Sequence, residues 1–152
     1  MAINKFDDLY AFATWWMNTK TFLPPIENNV SKDDKLTGTV LYRDGQYQVE
    51  LFTIKSKTKS EMHVHPNVDS YEIYVSGDIN FVINGENFNC IEGDVIPSLT
   101  RIYPHYLHTG ETFEKGGSFL SIQKWLNGVS PTSVTIDWND DKGNKQLTWI
   151  KD

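Results

Sequence analysis

The spacing of apolar positions changes once along this chain. Phe6, Leu9, Tyr10, Ala13, Trp16 and Met17 recur three and four residues apart, which is the repeat of one helix face. Asn4 with Asp7 three residues later resembles a helix start, and Pro24 and Pro25 forbid continuation. The spacing therefore predicts one helix over about 5–20, followed by an exposed connection through "ENNVSKDDK". From Gly38 onward the texture is short runs of Val, Ile, Tyr, Phe and Thr. These runs are broken by the turn signals "RDGQ", "SGD", "NGEN", "EGD", "EKGGS" and "DKGN". Strands are expected near 38–43, 46–56, 71–76, 79–84, 87–90, 94–97, 118–126, 132–138 and 145–150. Such a series indicates an all-β sandwich or barrel behind an N-terminal helix, and it argues against a parallel α/β sheet.

Size and charge narrow the choice further. A chain of 152 residues fits one domain with a sizeable core. The expected parts are an N-terminal helix and connection (1–35), a β core (36–128) and a C-terminal hairpin extension (129–152). The formal net charge is -6, and the 14 Lys and Arg residues form no basic run, which argues against a nucleic-acid or anionic-membrane surface. No stretch approaches the roughly 20 apolar residues that span a bilayer. The first residues carry acids where a secretory leader wants a basic region, so the expectation is a cytoplasmic protein. On that reading "NVS" at Asn29 is an accidental glycosylation match. Cys90 stands alone and is read as a buried structural thiol. Trp15, Trp16 and Met17 are read as core or as a homodimer contact, and a homodimer is expected.

All four histidines fall in two short segments, "HVHPNVDSYEIYVSG" and "YPHYLH". In a strand, His63 and His65 point the same way, about 7 Å apart along the chain, a geometry in which two imidazoles can grip one ion. Neutral imidazole suits Fe, Zn, Ni, Cu and Mn, often with a carboxylate beside it. Taken by itself the pair also fits two exposed strand histidines, and the second segment favours the metal reading.

The two segments together resemble the motifs of the cupin superfamily. Its first motif places H-x-H ahead of a glutamate and a glycine, as in "HVHPNVDSYEIYVSGD". Its second runs from G-D through a proline turn to a third histidine, as in "EGDVIPSLTRIYPHYLH". The resemblance covers roughly residues 38 to 126. It implies a cupin-type jelly-roll β-sandwich barrel and a metal site of His63, His65 and His108, with His105 at the turn-glycine position. Where the family has its glutamate this chain has Ser70. Either three histidines hold the ion alone or a neighbour substitutes. Glu72 is on the strand face of Ser70 and is the first candidate; Asp69 is the second, with the wrong parity. If Glu72 is not a ligand, it is an inward carboxylate suited to general-base work.

The remaining expectations concern the pocket. Arg101 precedes the turn and has a fork suited to a substrate carboxylate or phosphate. Tyr74 and His105 are expected beside it. Serine-triad chemistry is excluded by the absence of G-x-S-x-G. The calcium-loop reading of "DWNDDKGN" fails because Lys142 stands where the loop needs glycine. The functional expectation is a small metalloenzyme acting on a small chelating acid or diketone-like substrate, first as an Fe(II)-dependent dioxygenase. The alternatives are a metal-dependent lyase or isomerase working through an enolate, and a non-enzymatic cupin that binds a sugar or other small ligand.

Overall fold

The computed structural model describes residues 6–19, 27–31, 35–59, 62–91, 99–126, 132–137 and 146–151. Its single described helix, α1 (Leu9–Thr19), is followed by ten strands. These are β1 (Glu27–Ser31), β2 (Leu36–Asp44), β3 (Tyr47–Ile54), β4 (His63–Val64), β5 (Val68–Ile83), β6 (Glu86–Cys90), β7 (Leu99–Ile102), β8 (His108–Trp125), β9 (Thr132–Asp137) and β10 (Gln146–Lys151). Every pairing is antiparallel. The all-β expectation with an N-terminal helix is met.

The two longest strands organise the rest. β5 and β8 pair from Val68↔Trp125 to Ile83↔His108, with irregularities between Tyr74 and Ser76 and between Gly77 and Ile79. At that point "SGD" and "EKGGS", which read as turns, are bends inside continuous strands. Gly77 (φ 85°) and Gly116 (φ 67°) occupy the left-handed region that an L side chain rarely adopts. A Cβ on Gly77 would also collide with the carbonyl of Gly116 and the Cα of Gly117. The strands can fold over only because both corners lack side chains.

The bend divides the strands into two layers. In the first, the order is β2, β3, β8 after the bend, β5 before the bend and β7. In the second, β8 before the bend lies between β4 and β5, with β6 beyond. Ile102 shares the face of Ser70 and packs with Ile79, Phe81, Ile83 and Cys90 of the second layer. The edge-to-face pair of Phe81 and Phe119, 5.3 Å between centroids, likewise joins the layers. The face carrying Ser70 and Glu72 therefore looks across the interior at the face carrying His108. Cys90 is buried in this core, as expected.

The outer face of the first layer is covered by α1. Asp8 caps the helix, its Oδ1 accepting from the Ala11 amide at 2.8 Å, so the cap lies four residues beyond the expected Asn4 and α1 begins at Leu9 instead of about residue 5. Leu9, Phe12 and Trp16 are buried against Tyr47, Val49 and Ile122. Tyr10 and Met17, expected on the packed face, are 67% and 45% exposed, and Phe12 takes the inward position instead. Each buried aliphatic or aromatic side chain here contributes about 1.5–3 kcal/mol.

Several strand expectations change. β1 forms inside "ENNVS", which read as connection. The runs 71–76 and 79–84 are one strand, and β8 starts ten residues before the expected 118. β7 was not foreseen, whereas the expected 94–97 strand lies outside the described residues. β9 and β10 match the two strands expected at the C-terminal end and pair antiparallel, while the turn expected between them lies outside the described residues.

The corner makes a stability prediction. Gly77→Ala should cost about 3 kcal/mol or more in urea unfolding, from backbone strain plus the collision, whereas Gly85→Ala, at φ 84° with open space around it, should cost about 1 kcal/mol. Equal costs at the two positions would contradict the corner role.

Candidate metal centre

Strand pairing brings the histidines together. His63 on β4 lies directly opposite His108 at the start of β8. Residues opposite one another in an antiparallel ladder share a face. His65 follows two residues on, just before the turn in which the Val68 amide donates to the His65 carbonyl at 3.1 Å. The ring centroids are 4.2 Å apart for His63 and His108, 4.8 Å for His63 and His65, and 5.1 Å for His65 and His108. One ligand atom from each ring lies within 4.8 Å of the other two.

The chemistry of these donors fits a divalent transition metal. His108 is buried, and its pKa is driven well below the ordinary histidine value by that burial first and then by His63 and His65. It is therefore neutral, the form that binds metal. Its Nδ1 lies 3.0 Å from the Tyr106 carbonyl oxygen, which can only accept, so Nδ1 carries the proton and Nε2 is left as the donor atom.

The carboxylates expected nearby do not join this cluster. Asp69 forms a two-pronged ion pair with Arg101, Nε to Oδ1 at 2.9 Å and Nη2 to Oδ2 at 2.5 Å. The Arg101 guanidinium also stacks over Tyr71 at 4.6 Å and Tyr103 at 4.8 Å. Arg101 pairs across from Tyr71, and Tyr71 belongs with the outer helix-covered face. This corrects the expectation of Arg101 as a substrate-binding group in the pocket: strand parity turns it outward, and Asp69 occupies its fork. His105 is exposed and packs against Tyr103 and Tyr106, apart from the three clustered histidines. Tyr74 faces the inner core, but its hydroxyl donates to the Gly77 carbonyl at 2.6 Å, which ties it to the corner.

Glu72 faces inward but does not stand among the metal-ligating atoms. Its Oε1 accepts from Ser70 Oγ at 3.1 Å and from Ser121 Oγ at 3.0 Å, while its buried Oε2 has no hydrogen-bond partner among the described residues. The expectation of Glu72 as a fourth ligand is corrected on that ground. Burial, the larger effect, raises its pKa to about 8; the two serine hydrogen bonds lower it, and the nearby Glu50 raises it further. Ser70, at the position where the resemblance implies a glutamate, supports Glu72.

Two cross-strand rungs surround this carboxyl. Gln48, Gln123 and Ser70 are in register on β3, β8 and β5, and Glu50, Ser121 and Glu72 form the next rung. Gln48, Glu50, Ser70, Ser121 and Gln123 are all buried. A third rung of Phe52, Phe119 and Tyr74 follows. The amides and Glu50 escaped the sequence reading, because a polar residue alternating with Val49 and Leu51 looks like a solvent face. The only signal was that Val49, Leu51, Leu120 and Ile122 need cover, and α1 supplies it to Val49 and Ile122.

No family model matches the sequence, and no curated protein does. Solved structures do resemble the fold. A sugar phosphate isomerase from a cupin superfamily, from Silicibacter pomeroyi, superposes with a TM-score of 0.55 at 16% identity, over 78% of this chain and 77% of that one. An RmlC-like cupin from Shewanella frigidimarina gives 0.56 at 14%, over 70% and 92%. KdgF from a Halomonas species gives 0.53 at 13%, over 62% and 82%. With two antiparallel layers folded from shared long strands and three histidines on one inner face, this chain has the cupin fold.

Proposed function

We propose that this protein is a metal-dependent cupin enzyme that moves a proton on a small carbonyl or hydroxy substrate, an isomerase or lyase. His63, His65 and His108 would hold the divalent ion. Such an ion supplies Lewis-acid polarisation of a substrate oxygen. The observation that carries the reading is Glu72: a buried carboxyl on the face opposite the histidines, with one oxygen accepting from two serines and the other without a hydrogen-bond partner among the described residues.

The residues divide the work. At neutral pH a carboxyl with a pKa of about 8 holds its proton and acts as a general acid. Oε2 gives that proton to the substrate, and the resulting carboxylate, stabilised by Ser70 and Ser121, takes one back from the substrate or from solvent. The buried Gln48 and Gln123 amides form part of the polar wall around it.

Dioxygenation is the second reading. It is favoured by the donor set: the ligand cluster among the described residues is three imidazoles without a carboxylate, and neutral nitrogens suit iron. Oxygen consumption with substrate separates the two.

Two outcomes follow. Protein purified without added metal or chelating resin should carry close to one transition-metal ion per chain, while His63→Ala and His108→Ala should carry a small fraction of that by elemental analysis. Equal contents would remove the metal centre. For the proton, exchange of substrate C–H in D2O, followed by NMR with small hydroxy-ketones such as dihydroxyacetone, should fall as pH rises through about 8. The sign follows from the acid role, since the active form is the protonated one. Glu72→Gln should lose roughly a hundredfold or more while keeping its metal. An unchanged rate would eliminate Glu72 as the acid.

A further inference from the structure

The hydrogen bonds behind Glu72 form a chain whose direction is set at one end. Trp125 Nε1 is a donor only, and it lies 3.0 Å from Gln123 Oε1. That fixes which side of the Gln123 amide is oxygen. Its Nε2 must then face Ser121, to whose Oγ it donates at 3.0 Å. A serine hydroxyl has one proton, so Ser121, having accepted from Gln123, donates to Glu72 Oε1 at 3.0 Å. Gln48 obeys the same constraint. Its Oε1 accepts from Arg43 Nε, a donor only, at 2.8 Å, so its amide nitrogen faces Glu50 Oε1 at 3.3 Å and Gln123 Oε1 at 3.2 Å, where it is a second donor beside Trp125.

We propose that Trp125, acting through Gln123 and Ser121, is a positioning residue that keeps Glu72 Oε1 an acceptor and so places the transferable proton of Glu72 on Oε2. Ser70 donates to Oε1 as well, so a proton on Oε1 would face two hydroxyl donors, whereas on Oε2 it faces none. The inference deepens the proposed proton-transfer function and rests on it for its catalytic meaning, but the chain itself exists without metal or substrate. The groups around Glu72 are Ser70 on β5, Ser121 on β8 and Thr100 across from it on β7, with Glu50 on β3 as the charged neighbour. The three histidines stand on the opposite layer.

The experiment is a titration of the Glu72 carboxyl in metal-free, substrate-free protein, followed by infrared difference spectroscopy with Glu72→Gln as the assignment control. Ser121→Ala deletes a hydrogen bond that favours the carboxylate, so the midpoint should rise by roughly half to one pH unit. Trp125→Phe removes the shorter of the two hydrogen bonds that hold the Gln123 amide and leaves only Gln48 on its oxygen, so the midpoint should rise by a measurable part of the same amount. Because both act along one chain, the double variant should titrate like Ser121→Ala alone. Gln123→Leu tests the same link should the Trp125 variant lose its fold, as judged by its amide NMR spectrum, and should also rise. A wild-type midpoint in Trp125→Phe or Gln123→Leu, or full additivity in the double variant, overturns the relay. These outcomes are independent of activity: if the shifts appear but Glu72→Gln turns over normally, the relay stands and the proton-transfer function fails.

Discussion

The pairing of β5 with β8 through a shared corner is the constraint on which the molecule depends. One ladder runs from Val68↔Trp125 to Ile83↔His108, and it can serve both layers only by folding at Gly77 and Gly116. On one side of the corner it presents Ser70, Glu72, Ser121 and Gln123. On the other it places His108 opposite His63 and within reach of His65. A slip of one residue in this register would turn each of these side chains to the wrong face, since strand side chains alternate. The histidine cluster and the buried carboxyl opposite it are consequences of the same alignment.

Electrostatics inside the fold follow from what each layer offers. His108 loses its charge because burial and two neighbouring imidazoles oppose protonation, which suits a metal ligand. Glu72 keeps its proton because burial and Glu50 oppose ionisation, which suits an acid. The same low-dielectric interior thus makes both groups neutral at pH 7 by opposite movements. Glu72 in particular costs stability when it ionises. Its native form holds a proton that the unfolded chain gives up between about pH 4.5 and 8, so its contribution to folding declines as pH rises through that window.

Much of the site was legible in the sequence, and the reasons differ residue by residue. H-x-H on a strand needs only alternation, and the inward face of Ser70 and Glu72 needs the same parity, so both could be counted off. Glycine chemistry misled at "SGD" and "EKGGS" because positive φ is the requirement of a turn and of a strand corner alike; which one forms depends on Gly117 lying against Ile79 from a distant segment. The same limit applies to Arg101, whose partner Asp69 is 32 residues away. Gln48 and Glu50 were unreadable for a related reason: burial of a polar strand face is decided by the opposing layer.

The central claim is that three imidazoles on one inner face bind one metal ion. A crystal structure of the protein with its native metal, with anomalous scattering recorded at the metal edge, tests it most directly. A single peak about 2.0–2.1 Å from nitrogens of His63, His65 and His108, with Glu72 outside the coordination shell, is the expected result. A peak elsewhere, or one ligated by Glu72 with any of the three histidines turned away, would contradict it.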